Sequence, residues 1–341
     1  MNIIIINQTI NTDNDKIKKF SDKILRGDNK NILYTLPYNT FKNNNWYIIY
    51  QEDILINKEE NKEDKNLYEK IKEVINKEED IKHIIFFRCN TLIRRYYEDI
   101  KSENKIYKIL YLDDLHNSNE IRELRCFKKD IFLQFNLIIS TYAYCIDKFL
   151  RNIDKKRIYW FPHSFNETFR VEYNENPENK ILLSGAINET YFMRKRLYEL
   201  RDKYPIEHLQ HPRYGRSKLH NIIGKKYIEY INKYRYAFTC CSDENTPYIV
   251  QKFFEIPGSG ALLIAYDKYI KGELESLGFK DNENYISVDE DNLEEKIRFV
   301  LDENNREMIE RIRKNGYNFI NNNHTHHIRA SKLIEFLNNK N

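Results

Sequence analysis

Short apolar runs alternate with amphipathic stretches along almost the whole chain. The run Ile84-Ile85-Phe86-Phe87 is apolar throughout, which is typical of a parallel strand buried on both faces. The stretches between such runs have the spacing of helices with one apolar side. In the first half, the pattern predicts strands at residues 3–6, 32–36, 46–50, 84–87, 109–112, 137–140 and 158–161, and helices at 67–76 and 147–152.

The alternation stops at a polar segment and then resumes. Residues 172–179 contain Pro177 and almost no apolar side chain, so they are predicted to form a linker or a long loop. Beyond it, the pattern predicts strands at residues 181–183, 206–209, 236–239, 262–265 and 285–288, and helices at 191–203, 227–233, 247–254, 293–301, 306–319 and 328–337.

Strands that alternate with helices in this way predict an α/β fold with parallel sheets. The chain has 341 residues, enough for two such domains. We expect an N-terminal domain at residues 1–165, a C-terminal domain at 166–325 and a final helix at 326–341 that packs back on the first domain. Because ligands of such sheets bind at the carboxyl ends of the strands, the chemistry is expected there, at a cleft between the domains.

Composition excludes several classes of protein. Lys and Arg number 56 against 52 Asp and Glu and are interspersed, so the basic stripe of a nucleic-acid binder is missing. No apolar stretch approaches the roughly 18 residues that a membrane span needs, and the apolar start is too short for a signal peptide. The 5 cysteines include no CxxC pair, which predicts free thiols. We therefore expect a cytoplasmic protein without a nucleic-acid partner or a membrane span.

The most informative segment covers residues 246–264. Thr246 is placed to cap a helix that begins at Pro247, and the free N–H groups at that end would attract a diphosphate. Lys252 and Glu255 are three positions apart, so they lie on one face of a helix. The lysine can neutralise phosphate, and the carboxylate can accept two hydrogen bonds from a ribose diol. The alternative is an ordinary helix–turn–strand unit in which these two residues form a salt bridge.

This segment resembles the donor-binding motif of GT-B glycosyltransferases, specifically the "glycosyl transferases group 1" and CgeB-like (spore-maturation glycosyltransferase-like) proteins. Their pattern K/R-x-F-E-x-x-x-x-G-x-L-L-I is matched by Lys252, Phe254, Glu255, Gly260, Leu262, Leu263 and Ile264. The resemblance implies two Rossmann-like domains that face a central cleft, and a contact between Glu255 and the ribose of the nucleotide. More distant retaining relatives have a second glutamate eight residues earlier, where this chain has Pro247.

Other segments resemble the same family. Residues 182–187, followed by Tyr191-x-x-Arg194, are similar to the first strand, loop and helix of its C-terminal domain. This similarity implies that the donor approaches the backbone at Ser184 and Gly185 and that Arg194 clamps its phosphates; the alternative is a surface arginine. Residues 160–164 resemble the segment that enters the second domain, and His163 is expected to face the donor. Thr246 and Tyr248 complete the predicted donor-binding set.

The closing helices also resemble those of the family, at Tyr317, His324-Thr325-His326 and Arg329. A metal site at His324, His326 and His327 is an alternative. One short cluster without distant partners is weak evidence for a metal, so a structural or acceptor-side role is favoured.

Candidate acceptor-side residues follow the strand predicted at 109–112. Asp113, Asp114 and His116 are expected at the cleft and are similar to a short acidic and histidine segment of some relatives. Any of the three could orient an acceptor hydroxyl, or act as general base if the reaction inverts configuration. The alternatives are a helix cap for Asp114 and an ordinary loop histidine.

The resemblance implies sugar transfer from a nucleoside-diphosphate sugar of the UDP or GDP type to a glycan, protein or small-molecule acceptor. Transfer with retention of configuration at the anomeric carbon is expected, because the segment that contains Glu255 resembles retaining families. Neither a metal nor another cofactor is expected, since Arg194, Lys252 and helix N–H groups would neutralise the diphosphate. Two alternatives stay open: a nucleotide-sugar epimerase on the same scaffold, and a non-catalytic module that binds nucleotide sugars.

Overall fold

Two parallel sheets form the core of the chain. The computed structural model describes residues 1–6, 38–55, 65–112, 124, 127–128, 130–211, 222–242 and 244–340. Within these residues the structure divides into two units, one that ends at Pro162 and one that begins at His163, with one sheet in each. The strand predicted at residues 32–36 lies outside the described residues.

The first sheet has six strands: β1 (Asn2–Ile6), β2 (Trp46–Tyr50), β3 (His83–Phe87), β4 (Tyr107–Leu112), β5 (Leu137–Ser140) and β6 (Ile158–Trp160). Their order in the sheet is β2-β1-β3-β4-β5-β6, and every neighbouring pair is parallel. Ile3 of β1 is in register with Ile84 of the neighbouring β3, and both side chains are buried. The continuous apolar runs are therefore explained by burial on both faces of the sheet.

The described helices of this unit are α1 (Tyr38–Asn43), α2 (Gln51–Leu55), α3 (Leu67–Ile75), α4 (Asn90–Arg95), α5 (Tyr97–Ser102) and α6 (Ala143–Phe149). The boundaries of α3 follow from its sequence. Asn66 accepts hydrogen bonds from the N–H groups of Tyr68 and Glu69, and Asn76 ends the helix in the left-handed conformation. The helix predicted at 147–152 begins and ends earlier, at Ala143 and Phe149.

The second sheet has five strands: β7 (Glu178–Gly185), β8 (Ile206–Gln210), β9 (Tyr234–Cys240), β10 (Leu262–Tyr266) and β11 (Ile286–Val288). They are parallel and lie in the order β11-β10-β9-β7-β8. The described helices of this unit are α7 (Phe192–Glu199), α8 (Lys225–Ile231), α9 (Lys252–Gly258), α10 (Lys271–Ser276), α11 (Leu293–Leu301), α12 (Arg306–Asn323) and α13 (His326–Asn338). The predicted α/β fold class is confirmed.

The register of the second sheet brings several strand ends to one edge. Gly185 pairs with Gln210, and Tyr266 pairs with Cys240. These four residues end β7, β8, β10 and β9, so the segments that follow them start at the same edge. This is the edge at which parallel sheets bind ligands.

The polar segment before β7 is held against its own unit. The hydroxyl of Tyr317 donates to the carbonyl of Val171 at 2.8 Å, and Nη2 of Arg313 donates to the carbonyl of Asn174 at 2.5 Å. The final helix α13 begins after Thr325, whose hydroxyl accepts from the N–H of Ile328. The predicted packing of this helix on the first domain stays a prediction.

No helix in the described ranges is long and apolar enough to cross a membrane.

Candidate functional site

Gly185 is the centre of a charged cluster at the binding edge of the second sheet. Its φ of +107° lies in a region that residues with a side chain rarely adopt. A Cβ atom at this position would lie 3.1 Å from Nη1 of Arg194 and 3.5 Å from Nζ of Lys252. Two cationic groups, one from α7 and one from α9, therefore approach the backbone at the end of β7, and only a glycine leaves the space between them open.

Arg194 is buried, with 3% of its surface exposed, whereas its neighbours Lys195 and Arg196 are exposed. Its guanidinium lies over the ring of Tyr191 at 3.9 Å, and Nη1 is 3.5 Å from the carbonyl oxygen of Ala186. Nε is buried without a hydrogen-bond partner among the described residues. The alternative of a surface arginine is therefore wrong. A buried guanidinium with an unused donor favours an anionic ligand.

Lys252 and Glu255 lie on the first turn of α9, but they do not form the salt bridge of the alternative interpretation. Within the described part of the chain, neither side chain has an ion pair or a hydrogen bond with another residue, and both are partly buried. Burial and then the charge of Arg194 lower the pKa of Lys252 to about 8, against the opposing effect of Glu255. Burial raises the pKa of Glu255 to about 7, and Lys252 opposes this. A basic and an acidic side chain thus lie near enough to act on each other's pKa without forming an ion pair or a hydrogen bond.

Ser184 and Tyr227 form a hydroxyl pair beside this cluster. Oγ of Ser184 lies 2.6 Å from the phenolic oxygen of Tyr227, which belongs to α8. Burial raises the pKa of Tyr227, and the charge of Glu255 adds to the increase. Tyr227 was missed by the sequence analysis, because nothing in its local pattern distinguishes it from the other 25 of the 26 tyrosines in the chain.

The predicted start of α9 is wrong. The helix begins at Lys252 instead of Pro247, and its N-cap residue Gln251 makes no side-chain capping bond. The hydroxyl of Thr246 lies 2.9 Å from that of Ser242 instead of capping a helix. The N–H groups of Phe253 and Phe254 already donate to carbonyls of the preceding turn. The predicted helix N-terminus at Pro247 is therefore not formed, and the cationic groups near Gly185 are the side chains of Arg194 and Lys252.

Tyr248 is connected to the charged cluster through Tyr191. It is buried, and its hydroxyl lies 2.7 Å from that of Tyr191, over whose ring the Arg194 guanidinium lies.

The histidines near the end of the chain form a different arrangement. Nδ1 of His324 lies 3.0 Å from Nη2 of Arg329, and the same guanidinium nitrogen donates to the carbonyl of His163 at 3.4 Å. Phe319 packs edge to face against the His324 ring, at 4.7 Å between ring centroids. Burial and Arg329 lower the pKa of His324 to about 3, so this ring stays neutral. These contacts support a structural role for His324 and place His163 beside Arg329.

The structure describes no group of three His, Cys, Asp or Glu residues that could hold a metal ion among the residues it covers. The acceptor-side candidates Asp113, Asp114 and His116 lie outside the described residues. The thiols of Cys89, Cys240 and Cys241 are buried and are not part of a disulfide.

Comparisons with known proteins agree with this architecture. Residues 180–335 match the family model described as "Glycosyl transferase-like". No curated protein matches the sequence. TarM, a solved structure that is 12% identical with a TM-score of 0.47, aligns with 75% of this chain, but the alignment covers only 54% of TarM. This chain therefore spans about half the length of TarM.

Three solved structures match over almost their whole length. HepE from Anabaena, in complex with UDP-glucose, has a TM-score of 0.57 at 9% identity, and the alignment covers 99% of each chain. A glycosyltransferase from Rickettsia africae has a TM-score of 0.55 at 12% identity, over 98% of this chain and 96% of that one. Sucrose-phosphate synthase from Thermosynechococcus elongatus has a TM-score of 0.51 at 11% identity, over 100% of both.

At these identities the similarity shows the fold. The chain has two parallel sheets with interleaved helices, which match GT-B glycosyltransferase structures. The predicted fold is confirmed, and the narrower CgeB-like assignment stays a prediction.

Proposed function

We propose that this chain is a glycosyltransferase that binds a nucleoside-diphosphate sugar at the Gly185 edge of its second unit. The observation that supports the proposal most is the unpaired state of Lys252 and Glu255. Opposite charges three residues apart on a helix normally pair, and partly buried charges without partners lower stability. A site that must bind both an anion and a diol needs both groups unpaired.

Each group has a role that fits one part of such a donor. Arg194 and Lys252 neutralise the diphosphate, because both approach Gly185 and the Nε of Arg194 has no partner among the described residues. Glu255 accepts hydrogen bonds from the ribose hydroxyls. Gly185 gives the phosphates access to the backbone. UDP is the first donor to test, because HepE, which shares the fold, binds UDP-glucose.

The reaction proposed is transfer with retention and without a metal or another cofactor. The bond between the anomeric carbon and the phosphate oxygen breaks, the acceptor hydroxyl oxygen bonds to that carbon, and the hydroxyl proton passes to the leaving phosphate. Arg194 and Lys252 stabilise the charge that develops on the diphosphate. The acceptor is a glycan, a protein or a small molecule, and Asp113, Asp114 and His116 are the candidates for orienting it.

A non-catalytic nucleotide-sugar-binding module is the second candidate. Pro247 stands where more distant retaining relatives have a glutamate, and it precedes α9 instead of lying within it. Hydrolysis or transfer of UDP-glucose by the intact chain would support the enzyme. Tight binding of the donor with no turnover over a range of acceptors would support the module.

The donor assignment is tested by calorimetric titration with UDP, GDP and uridine at about pH 7.5. A hydrogen bond to a charged group contributes about 1.5–3 kcal/mol, so Glu255→Gln should weaken UDP or GDP binding by roughly tenfold or more. Lys252→Met should weaken binding of the diphosphates and leave uridine binding unchanged. Both variants should melt at or slightly above the temperature of the parent, because each removes a partly buried ionisable group that has no partner among the described residues.

A matched pair elsewhere in the chain provides the control. Lys280 and Glu283 have the same order and spacing but form a surface ion pair at 3.4 Å. Lys280→Met and Glu283→Gln should leave nucleotide binding unchanged. If Glu255→Gln binds as tightly as these controls, the donor-site assignment is wrong.

A further inference from the structure

Ser184 and Tyr227 carry two hydroxyl protons, and only one of them is needed for the hydrogen bond between the two groups. The two oxygens lie 2.6 Å apart, so one hydroxyl donates to the other. Among the described residues, neither hydroxyl has a further hydrogen-bond partner. The second hydroxyl proton therefore has no acceptor in this part of the protein. A donor without an acceptor at a ligand-binding edge is available to a ligand.

The position of the pair indicates which ligand atom accepts that proton. Ser184 precedes Gly185 at the end of β7 and is 3% exposed. The position of a Cβ on Gly185 is 3.1 Å from Nη1 of Arg194 and 3.5 Å from Nζ of Lys252. An anion bound between these two cations lies one residue away from the Ser184 hydroxyl. The hydroxyl of Tyr227, from α8, is within hydrogen-bond distance of the Ser184 hydroxyl, so Ser184 is positioned to connect it to that space.

The chemistry of a phosphate oxygen fixes the direction of the hydrogen bonds. Such an oxygen only accepts, so the Ser184 hydroxyl must use its single proton on the phosphate. The oxygen of Ser184 can then only accept within the pair, and the phenol of Tyr227 must be the donor. In a chain of this kind each hydrogen bond polarises the next and strengthens it.

We propose that Tyr227 is a positioning residue of the donor site, which acts through Ser184 to direct the serine proton onto a phosphate oxygen of the nucleotide. The inference rests on the proposed function, because it requires that a nucleoside diphosphate binds at this edge. It assigns to Tyr227 a part in binding although the tyrosine does not touch the ligand.

A double-mutant cycle with Tyr227→Phe and Ser184→Ala tests this inference. A neutral hydrogen bond contributes little on its own, so Tyr227→Phe should weaken UDP binding by roughly two- to tenfold. Ser184→Ala should weaken it by at least as much. Because Tyr227 acts through Ser184, adding Tyr227→Phe to the Ser184→Ala protein should have no further effect on UDP affinity. Uridine binding should be the same in all four proteins.

The same helix supplies the control. Tyr230 also belongs to α8 and carries a hydroxyl that bonds only within the protein, 3.1 Å from the hydroxyl of Tyr234. Tyr230→Phe removes the same group from the same helix, and it should leave UDP affinity unchanged. Melting temperatures of all variants show whether a loss of affinity follows from a loss of structure.

Three results would overturn the inference while the parent still binds UDP. Additive effects in the cycle would mean that Tyr227 acts independently of Ser184. An unchanged affinity of Tyr227→Phe would mean that the pair has no part in binding. A loss that also appears with uridine would place the hydroxyls at the nucleoside instead of the phosphates. A parent protein that binds neither UDP nor GDP would instead overturn the proposed function and this inference with it.

Discussion

Replacing Gly185 by alanine tests both the backbone geometry and the ligand site at one position. The new methyl group would be held at a φ of +107° and would lie 3.1 Å from Nη1 of Arg194 and 3.5 Å from Nζ of Lys252. The positive φ strains the backbone of an alanine. The methyl group fills the space in which we place the phosphates of the donor.

The two consequences have different magnitudes. Backbone strain at such a position costs about 1–3 kcal/mol. For a unit of this size that corresponds to a melting temperature lower by roughly 2–12 °C. Displacing phosphate from one cation removes a charge-assisted hydrogen bond of about 1.5–3 kcal/mol, so UDP affinity should fall by roughly 10- to 100-fold.

A second glycine separates these effects. Gly278 also has a positive φ, +91°, and a Cβ there would lie 3.2 Å from the ring of Phe319. Gly278→Ala should therefore lower the melting temperature without weakening UDP binding. Gly272→Ala should change neither property much, because no heavy atom lies within 4 Å of its Cβ position. If Gly185→Ala loses stability like Gly278→Ala but binds UDP like the parent, the phosphates do not lie at Gly185.

Two further predictions concern charge at the site. Burial and Arg194 lower the pKa of Lys252 from 10.5 to about 8, so the free protein has largely lost this proton at about pH 9, and a bound diphosphate should restore it. UDP titrations in two buffers of different ionisation enthalpy should then show proton uptake in the parent and none in Lys252→Met; equal uptake in both would contradict the assignment of Lys252 to the phosphates. Chelation with EDTA should leave UDP affinity unchanged, because Arg194 and Lys252 neutralise the diphosphate. A loss that Mg²⁺ or Mn²⁺ reverses would contradict this and would favour Asp113 and Asp114 as metal ligands.

Much of the fold was predictable because a strand that is buried on both faces of a sheet has a continuous apolar run in the sequence. The strands at residues 46–50 and 137–140 and the helix at 293–301 were predicted with their observed bounds. The short helices α4 and α5 were missed. Neither has a side-chain cap, and each has only 6 residues, too few for a helical period to stand out.

The site was predictable where it depends on local sequence. Ser184, Gly185, Arg194, Lys252 and Glu255 were named from motifs, and the structure brings them to one edge of the sheet. The start of α9 was predicted wrongly: the segment before it makes long-range contacts, such as that of Tyr248 with Tyr191, 57 residues away in sequence, which the local pattern does not show. Tyr227 could not be predicted for the same reason: its partner Ser184 is 43 residues away in sequence.

The end of α9 explains how its first turn tolerates unpaired charges. Two side chains of α12 and one at the end of α8 bind the carbonyls of the turn at residues 258–260: Asn321 donates to Gly258 at 3.3 Å, Arg313 to Gly260 at 2.6 Å and Asn232 to Ser259 at 2.7 Å. Gly258 also lies so close to Phe165 that a Cβ would be 2.7 Å from its ring. The helix is thus fixed at its C-terminal end.

In this helix of 7 residues, the contacts that stabilise the fold lie at the C-terminal end, and the residues proposed to bind the donor lie at the N-terminal end. Buried contacts and hydrogen bonds at the C-terminal end hold α9 in place, so its N-terminal turn needs neither a side-chain cap nor an internal salt bridge. Had Lys252 and Glu255 paired with each other, a ligand would first have to break that pair, and its affinity would fall by the energy of the pair. Because neither side chain has an ion-pair or hydrogen-bond partner among the described residues, no such pair has to be broken before the diphosphate and ribose of the proposed donor bind.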